Sequence, residues 1–321
     1  MDPLETIHHL GACQGSRLKI AYTQDRINKR LPFFNINKER IDIGNFQEHD
    51  NADRLPFFAS YLGRILSSIE PGTMDVLNGG FFNIELHDTY VYLDKNDDYD
   101  NVLVWSKGKK DQNVVLLPDL YNIVNYNNSL ERNVDRLNWD DKKNKMAFFG
   151  TTTGNMNPAK NERILTCMWG KEHRDLADFY ITKVAQMKMN DILAVFPTFR
   201  DIVYPQVTPE YMFQYKFLVD IPGNTCSWDR VPLVMNSRSL LFKMPCGDMC
   251  WYYPLLHDRE HYIHVDVDDI VKKHNYYLNN PKEAAEIIKR ANAFVKTYLH
   301  PDSARIYTKA LFEAAAEWGG R

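Results

Sequence analysis

The run Gly150-Thr151-Thr152-Thr153-Gly154 follows a β-type stretch, Lys145 to Phe149, and precedes a helical one from about Ala159 to Gly170. At such a junction main-chain N–H groups and hydroxyls can face a phosphate, because a helix N-terminus carries unpaired donors and a partial positive charge. The loop lacks the lysine of a Walker loop and the glycine spacing of a dinucleotide fingerprint, so taken alone it also reads as a plain turn. The segment from Lys216 to Lys243 says more. A strand ending in Asp220 enters the loop Pro222-Gly223-Asn224, and Ser227 to Arg230 then opens a helix. An arginine at a helix start below strand ends can pair bidentately with a diphosphate and gain from the positive end of the dipole. The alternative is a salt bridge from Arg230 to Asp229 or Asp220. Lys216 either reaches the same phosphate or is a helix C-terminal charge, and His261, ahead of a strand, is either a cleft residue or a packing one.

Other chemistries find no footing. The acidic runs Asp97-Asp98, Asp140-Asp141 and Asp266-Val267-Asp268-Asp269 read as turns or a helix N-terminus, and no Asp-x-Asp stands at a strand end, so no metal site is expected. Five cysteines with one close pair, Cys246 and Cys250, give neither a disulfide framework nor the four ligands of a structural zinc. No Gly-x-Gly-x-x-Gly follows a strand, which removes an NAD-linked oxidoreductase. A formal charge of −3 and a pI near 6.4 give no broad attraction to nucleic acid or an anionic membrane. The start Met1-Asp2-Pro3-Leu4-Glu5 has no leader pattern and no run of eighteen apolar residues follows, so the expectation is a cytoplasmic-type protein without a membrane span.

The elements that must position these residues form an α/β pattern. A chain of 321 residues exceeds the roughly 250 to 300 at which single cores stop growing, so two α/β lobes with a cleft are expected. The first 45 residues are weakly patterned, with a short strand at Leu18 to Tyr22. Leu55 to Ile69 carries the spacing of a buried helix face and is stopped by Pro71-Gly72. Runs at Phe81 to Leu86, Tyr90 to Leu93, Val102 to Trp105 and Val114 to Leu117 read as a first sheet. The polar stretch from Asn127 to Lys145 reads as the lobe connection or as a solvated helix face. Beyond it, strands at 145–149, 178–184, 217–221, 239–243 and 262–265 alternate with helices, which argues for a mostly parallel, doubly wound second lobe. Two helices, 281–299 and 303–318, end the chain.

The stretch from Phe213 to Val265, with Tyr215-Lys216, Ser227, Arg230, Ser239, Tyr253-Pro254 and His261-Tyr262-Ile263 in order and without gaps after Arg230, resembles glycosyltransferase family 90. That family includes protein O-glucosyltransferases and capsule xylosyltransferases. Ala147 to Gly154 is similar to its strand and Gly-Ser/Thr loop, and Trp105-Ser106-Lys107 with Leu117-Pro118 to its first lobe, giving coverage of roughly 82 to 299. Phe149 and Thr152 depart from it, standing where members carry arginines, so Arg230 must bear more of the phosphate charge.

The resemblance implies an α/β fold of the GT-B type with two Rossmann-like lobes. Residues 1–140 would form the acceptor-side lobe, with the helix 303–318 packing back on it, and residues 141–302 the UDP-sugar lobe. The implied reaction is transfer of a monosaccharide, xylose ahead of glucose, from a UDP-sugar to a hydroxyl of a glycan or protein acceptor, with inversion and no essential metal or other cofactor. Donor contacts fall to Gly150, Thr151, Thr152, Thr153, Lys216, Ser227, Arg230, Tyr253 and His261. Tyr253, in the aromatic run Trp251-Tyr252-Tyr253, stacks on uracil or sugar or else packs in the core. An inverting transfer needs a base for the acceptor hydroxyl. In the family it is an aspartate ending a first-lobe strand, which matches Asp88 here, with Asp75 and Glu85 as alternatives and a turn cap as the structural role. The competing reading is a catalytically silent nucleotide-sugar binder or scaffold. The missing leader and retention tail suggest a cytosolic glycan-assembly system, microbial or viral.

Overall fold

The computed structural model describes residues 2–18, 31, 33–37, 41–44, 55–84, 102–111, 114–119, 130 and 135–319. By contact the chain divides into two compact units: residues 1–124 with 248–253 and 297–321, and residues 125–247 with 254–296.

The first unit opens with a helix that the weak apolar pattern conceals, α1 (Pro3–Gly15). Its start is encoded locally. Asp2 Oδ1 accepts from Leu4 N at 2.8 Å, Glu5 Oε2 accepts from Asp2 N at 3.3 Å, and Pro3 supplies the first helical φ. Its buried face is Ile7, Gly11 and Gly15, one apolar side chain and two glycines instead of an apolar stripe. The reason is the last helix, Pro301–Gly319: a Cβ on Gly11 would lie 2.2 Å from the carbonyl oxygen of Tyr307, and one on Gly15 1.9 Å from that of Leu311. Leu18, read as the start of a strand, is a buried residue just past α1, and the rest of that run lies outside the described residues.

Two further strands absent from the sequence reading follow, β1 (Phe33–Ile36) and β2 (Ile41–Gly44), then α2 (Leu55–Leu66) and α3 (Pro71–Leu77). α2 buries Phe58, Tyr61, Leu62, Ile65 and Leu66 as its spacing predicts. Pro71, expected only to stop it, begins α3, where a missing N–H costs nothing. β3 (Phe81–Ile84), β4 (Val102–Val104) and β6 (Val115–Leu116) coincide with expected strands; β5 (Lys107–Gly108) does not. The sheet order is β2-β1-β3-β4-β6, antiparallel through β1 and parallel from β3 onward.

The second unit is built on β7 (Lys143–Thr151), β8 (Ala177–Lys183), β9 (Tyr215–Asp220) and β10 (Leu240–Lys243). After β11 (Asp248–Met249), which pairs with β5 in the first unit, β12 (Ile263–His264) completes the sheet. Its order is β12-β10-β9-β7-β8 and every pairing is parallel, as expected. A sheet covered on both faces needs apolar residues on both, and all six residues of β9 are buried. Phe217 and Val219 enter one core with Phe148, Phe179 and Phe242. Leu218 and Asp220 alternate to the other face. Helices Glu162–Glu172, Ile270–Asn279 and Pro281–Tyr298 add Ile164, Ile270 and Ile287 to that core.

Where a lobe connection or solvated face was expected, Lys142 Nζ meets Asp135 Oδ2 at 2.8 Å with both side chains wholly buried. Lys142 also donates to the Phe213 carbonyl and to Ser239 Oγ at 3.2 Å. These bonds tie residues before 140 to the second unit. The architecture is two α/β units, the second with an all-parallel sheet and the first with a mixed one.

Candidate functional site

In the second unit, the carboxyl ends of β7 and β9 deliver two loops to one place, and parallel α/β sheets bind ligands at such ends. Asn161 fixes the first loop: its Nδ2 donates to Thr152 O at 3.0 Å and Asn155 O at 2.9 Å, while its Oδ1 accepts from Ile164 N and caps the helix Glu162–Glu172. Gly154 (φ 122°) donates its N–H to Asn224 Oδ1 of the second loop at 3.0 Å.

Arg163, which the sequence reading passed over, joins the two loops. Its Nη1 donates to Thr153 Oγ1 at 2.6 Å and Thr151 O at 3.3 Å, and its Nε to Ile221 O and Pro222 O at 3.1 and 3.2 Å. Burial, then the neighbouring Arg230 charge, pushes its pKa down to about 10. Its signal in the sequence is a cation in the first turn of a helix, where the dipole disfavours it. Such a residue needs compensation.

Arg230 opens the short helix Arg230–Met235 as expected, and its Nη2 donates to Phe149 O at 2.7 Å. Neither expected salt bridge forms; Asp220 Oδ2 instead lies 3.7 Å from Lys243 Nζ. Both guanidiniums face the Phe148 ring, with Arg230 Cζ 4.5 Å and Arg163 Cζ 5.7 Å from its centroid. Among the described residues, Arg163 Nη2 and the Nε and Nη1 of Arg230 make no hydrogen bond. Gly150 lies close against Arg230: a Cβ there would be 3.1 Å from its Nη2 and 2.5 Å from Phe148 Cζ.

The remaining expected donor residues divide. Thr151 and Thr153 share a contact of 3.1 Å between hydroxyls beside Arg163. Thr152 is fully buried and its hydroxyl is committed, donating to Ala185 O and accepting from Ala185 N, both at 2.8 Å. Ser227 lies in the second loop with a buried hydroxyl that finds no partner. Lys216 belongs to a strand, not to a helix end. It sits near the amino end of β9, about 13 Å along the chain from Asp220 at ~3.3 Å per residue, with its ammonium 5.5 Å from the Trp139 ring centroid. Lys216 is therefore not among the loop residues. His261 packs on Phe294 at 4.8 Å, its Nδ1 accepting from His257 N at 3.2 Å, and burial lowers its pKa. That is the packing alternative. Tyr253 groups with the first unit, half-buried against Tyr252, while Trp251 and Tyr252 are core residues.

Asp88 and Glu85 lie outside the described residues. Asp75 is exposed on α3. The five cysteines form no disulfide. Among the described residues, no helix is long and apolar enough to cross a membrane.

The site can hold an anion between two arginines and a glycine- and threonine-bearing loop. A family model described as glycosyl transferase family 90 matches residues 117–318. Over 110 residues the chain is 26% identical to Protein O-glucosyltransferase 2 of Danio rerio, covering 33% of this chain and 21% of that protein, so it spans about a fifth of that relative. Among solved structures, TarM is similar at 13% identity with a TM-score of 0.41, over 63% of this chain and 40% of that one. The C-terminal domain of a glycosyl transferase group 1 family protein, LpcC of Francisella tularensis, is similar at 10% identity with a TM-score of 0.34, over 57% and 94%.

Proposed function

Because the chain belongs to glycosyl transferase family 90, we propose that this transferase takes its monosaccharide from a UDP-sugar and passes it, with inversion, to a hydroxyl of a glycan or protein. The observation that carries the donor class is the arginine pair: two guanidiniums at strand ends, with donors left over, beside Gly150, whose missing Cβ leaves room for Arg230. Two like charges brought this close repel, and a diphosphate placed between them would relieve that repulsion while its oxygens take the spare N–H groups. As the donor bond breaks, negative charge grows on the leaving diphosphate, and donors fixed in advance stabilise it without reorganising. The arginines supply that charge, so the reading includes no essential metal.

Asp88 is proposed as the base that takes the acceptor hydroxyl proton, on its position after the first-unit strand β3 and on the family's pattern. The zebrafish relative is by name a glucosyltransferase, so UDP-glucose and UDP-xylose are the first donors to test. UDP release from each, measured with purified protein and an acceptor panel, should occur with one of them and be unaffected by EDTA. Dependence on Mn²⁺ or Mg²⁺ would overturn the metal-free part. UDP binding without any release or transfer would favour the silent binder.

A further inference from the structure

The outer side of the helix Ile270–Asn279 and the turn from Asp258 to Tyr262 border a cavity of about 620 Å³, within the roughly 300–1,000 Å³ of small-ligand sites. Ile263 of β12, the edge strand, lines it. Three strand spacings, about 14 Å, separate that edge from β7, so this is not the arginine site.

Its acids are engaged within the fold. Asp258 Oδ1 accepts from His264 N at 2.6 Å, Asp269 pairs with Lys273, and Glu283 Oε2 accepts from Tyr276 OH at 2.8 Å. Among the described residues, one free cation, one loosely paired cation and a ring are left to a ligand. The Arg259 side chain is 79% exposed and makes a long ion pair, 3.9 Å, with the part-exposed Asp258 carboxylate. Lys272 is exposed and has no partner among the described residues. Tyr276 is 49% exposed.

Arg259 occupies its place against a backbone preference. Its φ is 62°, a left-handed conformation that glycine adopts without strain and arginine does not. The turn is closed by its own bond from Arg259 N to Tyr262 O at 2.7 Å and held from outside by Arg290, which donates to the carbonyls of Arg259 and Glu260, both at 3.1 Å. The turn needs only a glycine, so what the arginine adds is its guanidinium. Strain that the surroundings maintain is found at ligand sites.

A free lysine and a loosely paired, exposed arginine beside an exposed aromatic ring suit a ring-shaped ligand with one negative charge. The three carboxylates of the lining balance its three cations, so its net charge gives a multiply charged phosphate no advantage over a singly charged ligand. Their remaining lone pairs accept from hydroxyls. We infer that the cavity binds a uronic-acid residue of a glycan, its carboxylate at Arg259 and Lys272 and its ring against Tyr276. The choice of a glycan rests on the transferase reading above; the separate site does not.

Calorimetric titration of the full chain with three probes tests this: a glucuronate-terminated disaccharide, its neutral glucose counterpart and inorganic phosphate, each with and without saturating UDP. The acidic disaccharide should bind at least tenfold more tightly than the other two, and UDP should not displace it. Arg259→Gly, which relieves strain and so folds, should weaken it at least tenfold with UDP affinity unchanged, and Tyr276→Ala should weaken it independently. Absent binding, equal binding of the neutral sugar, tighter binding of phosphate, displacement by UDP, or undiminished binding in Arg259→Gly would each overturn the proposal. Acidic-disaccharide binding in a protein that fails to bind UDP would sink the donor reading and leave this one standing.

Discussion

Thr152 and Thr153 are adjacent and chemically identical, yet their hydroxyls serve different ends. Thr152 closes a two-way bond with the Ala185 backbone inside the protein, whereas Thr153 meets Arg163 at the loop surface. Thr152→Val deprives the half-buried N–H and carbonyl of Ala185 of their partner and should cost about 1 kcal/mol of stability, read as a fall in unfolding midpoint with UDP affinity kept among folded molecules. Thr153→Val should do the reverse, lowering UDP affinity severalfold with little change in midpoint. Loop and Arg230 were both legible from residue type and position. Which threonine faces out was not, because that depends on Ala185, more than thirty residues away. Arg163 was legible only in part: its place against the helix dipole is written in the sequence, but the carbonyls that compensate it come from the end of β7 and the loop after β9. Lys216 misled because a cation next to a strand start gives no sign of which end of the strand the ligand occupies.

Helices reveal themselves in sequence when their buried face is apolar, as α2 does, and hide when it is small. α1 and the last helix approach until backbone meets backbone at Gly11 and Gly15, a contact that apolar periodicity does not register. Gly15→Ala should therefore destabilise, by about 1–3 kcal/mol as an overpacked core does. Gly63→Ala on α2, where a Cβ meets nothing within 4 Å, should stabilise by up to about 1 kcal/mol; chemical denaturation of the two variants checks the contrast. The parallel strands were legible because doubly covered strands read as continuous apolar runs, while β1, which carries the same Phe-Phe-Asn-Ile as β3, and β2 stand in a stretch whose neighbours carry little apolar pattern. The helix Ile270–Asn279 is anchored to β7 by His274, whose Nε2 lies 3.1 Å from Asn144 O and whose ring packs 4.8 Å from Phe217. Burial holds its pKa below the usual 6.5. Below that pH the unfolded chain takes up a proton that the folded one does not, so this group's stability contribution is present above about 6.5 and declines as pH falls. Between pH 7.5 and 5.5 the unfolding midpoint of the parent should drop further than that of His274→Phe; equal drops would show that His274 does not set the acid limb.

At the scale of the molecule, two α/β units follow from chain length and from alternation of strands and helices, but the point of division does not. The charged stretch before β7 looks like a connector because its charges read as solvated. Instead Asp135 and Lys142 neutralise one another in the interior of the second unit, and Asp135→Ala, which strands a buried ammonium, should cost roughly 3–5 kcal/mol, measured by denaturant unfolding. Donor binding at this site requires that the strand-end arginines hold the diphosphate. Calorimetric titration of UDP into the parent and into Arg230→Ala, with thermal unfolding of both in parallel, tests this most directly. A charge-assisted pair to phosphate contributes about 1.5–3 kcal/mol, so the folded variant should bind UDP roughly ten- to 150-fold more weakly, whereas a folded Arg230→Ala protein with undiminished UDP affinity would contradict the site proposed for the donor.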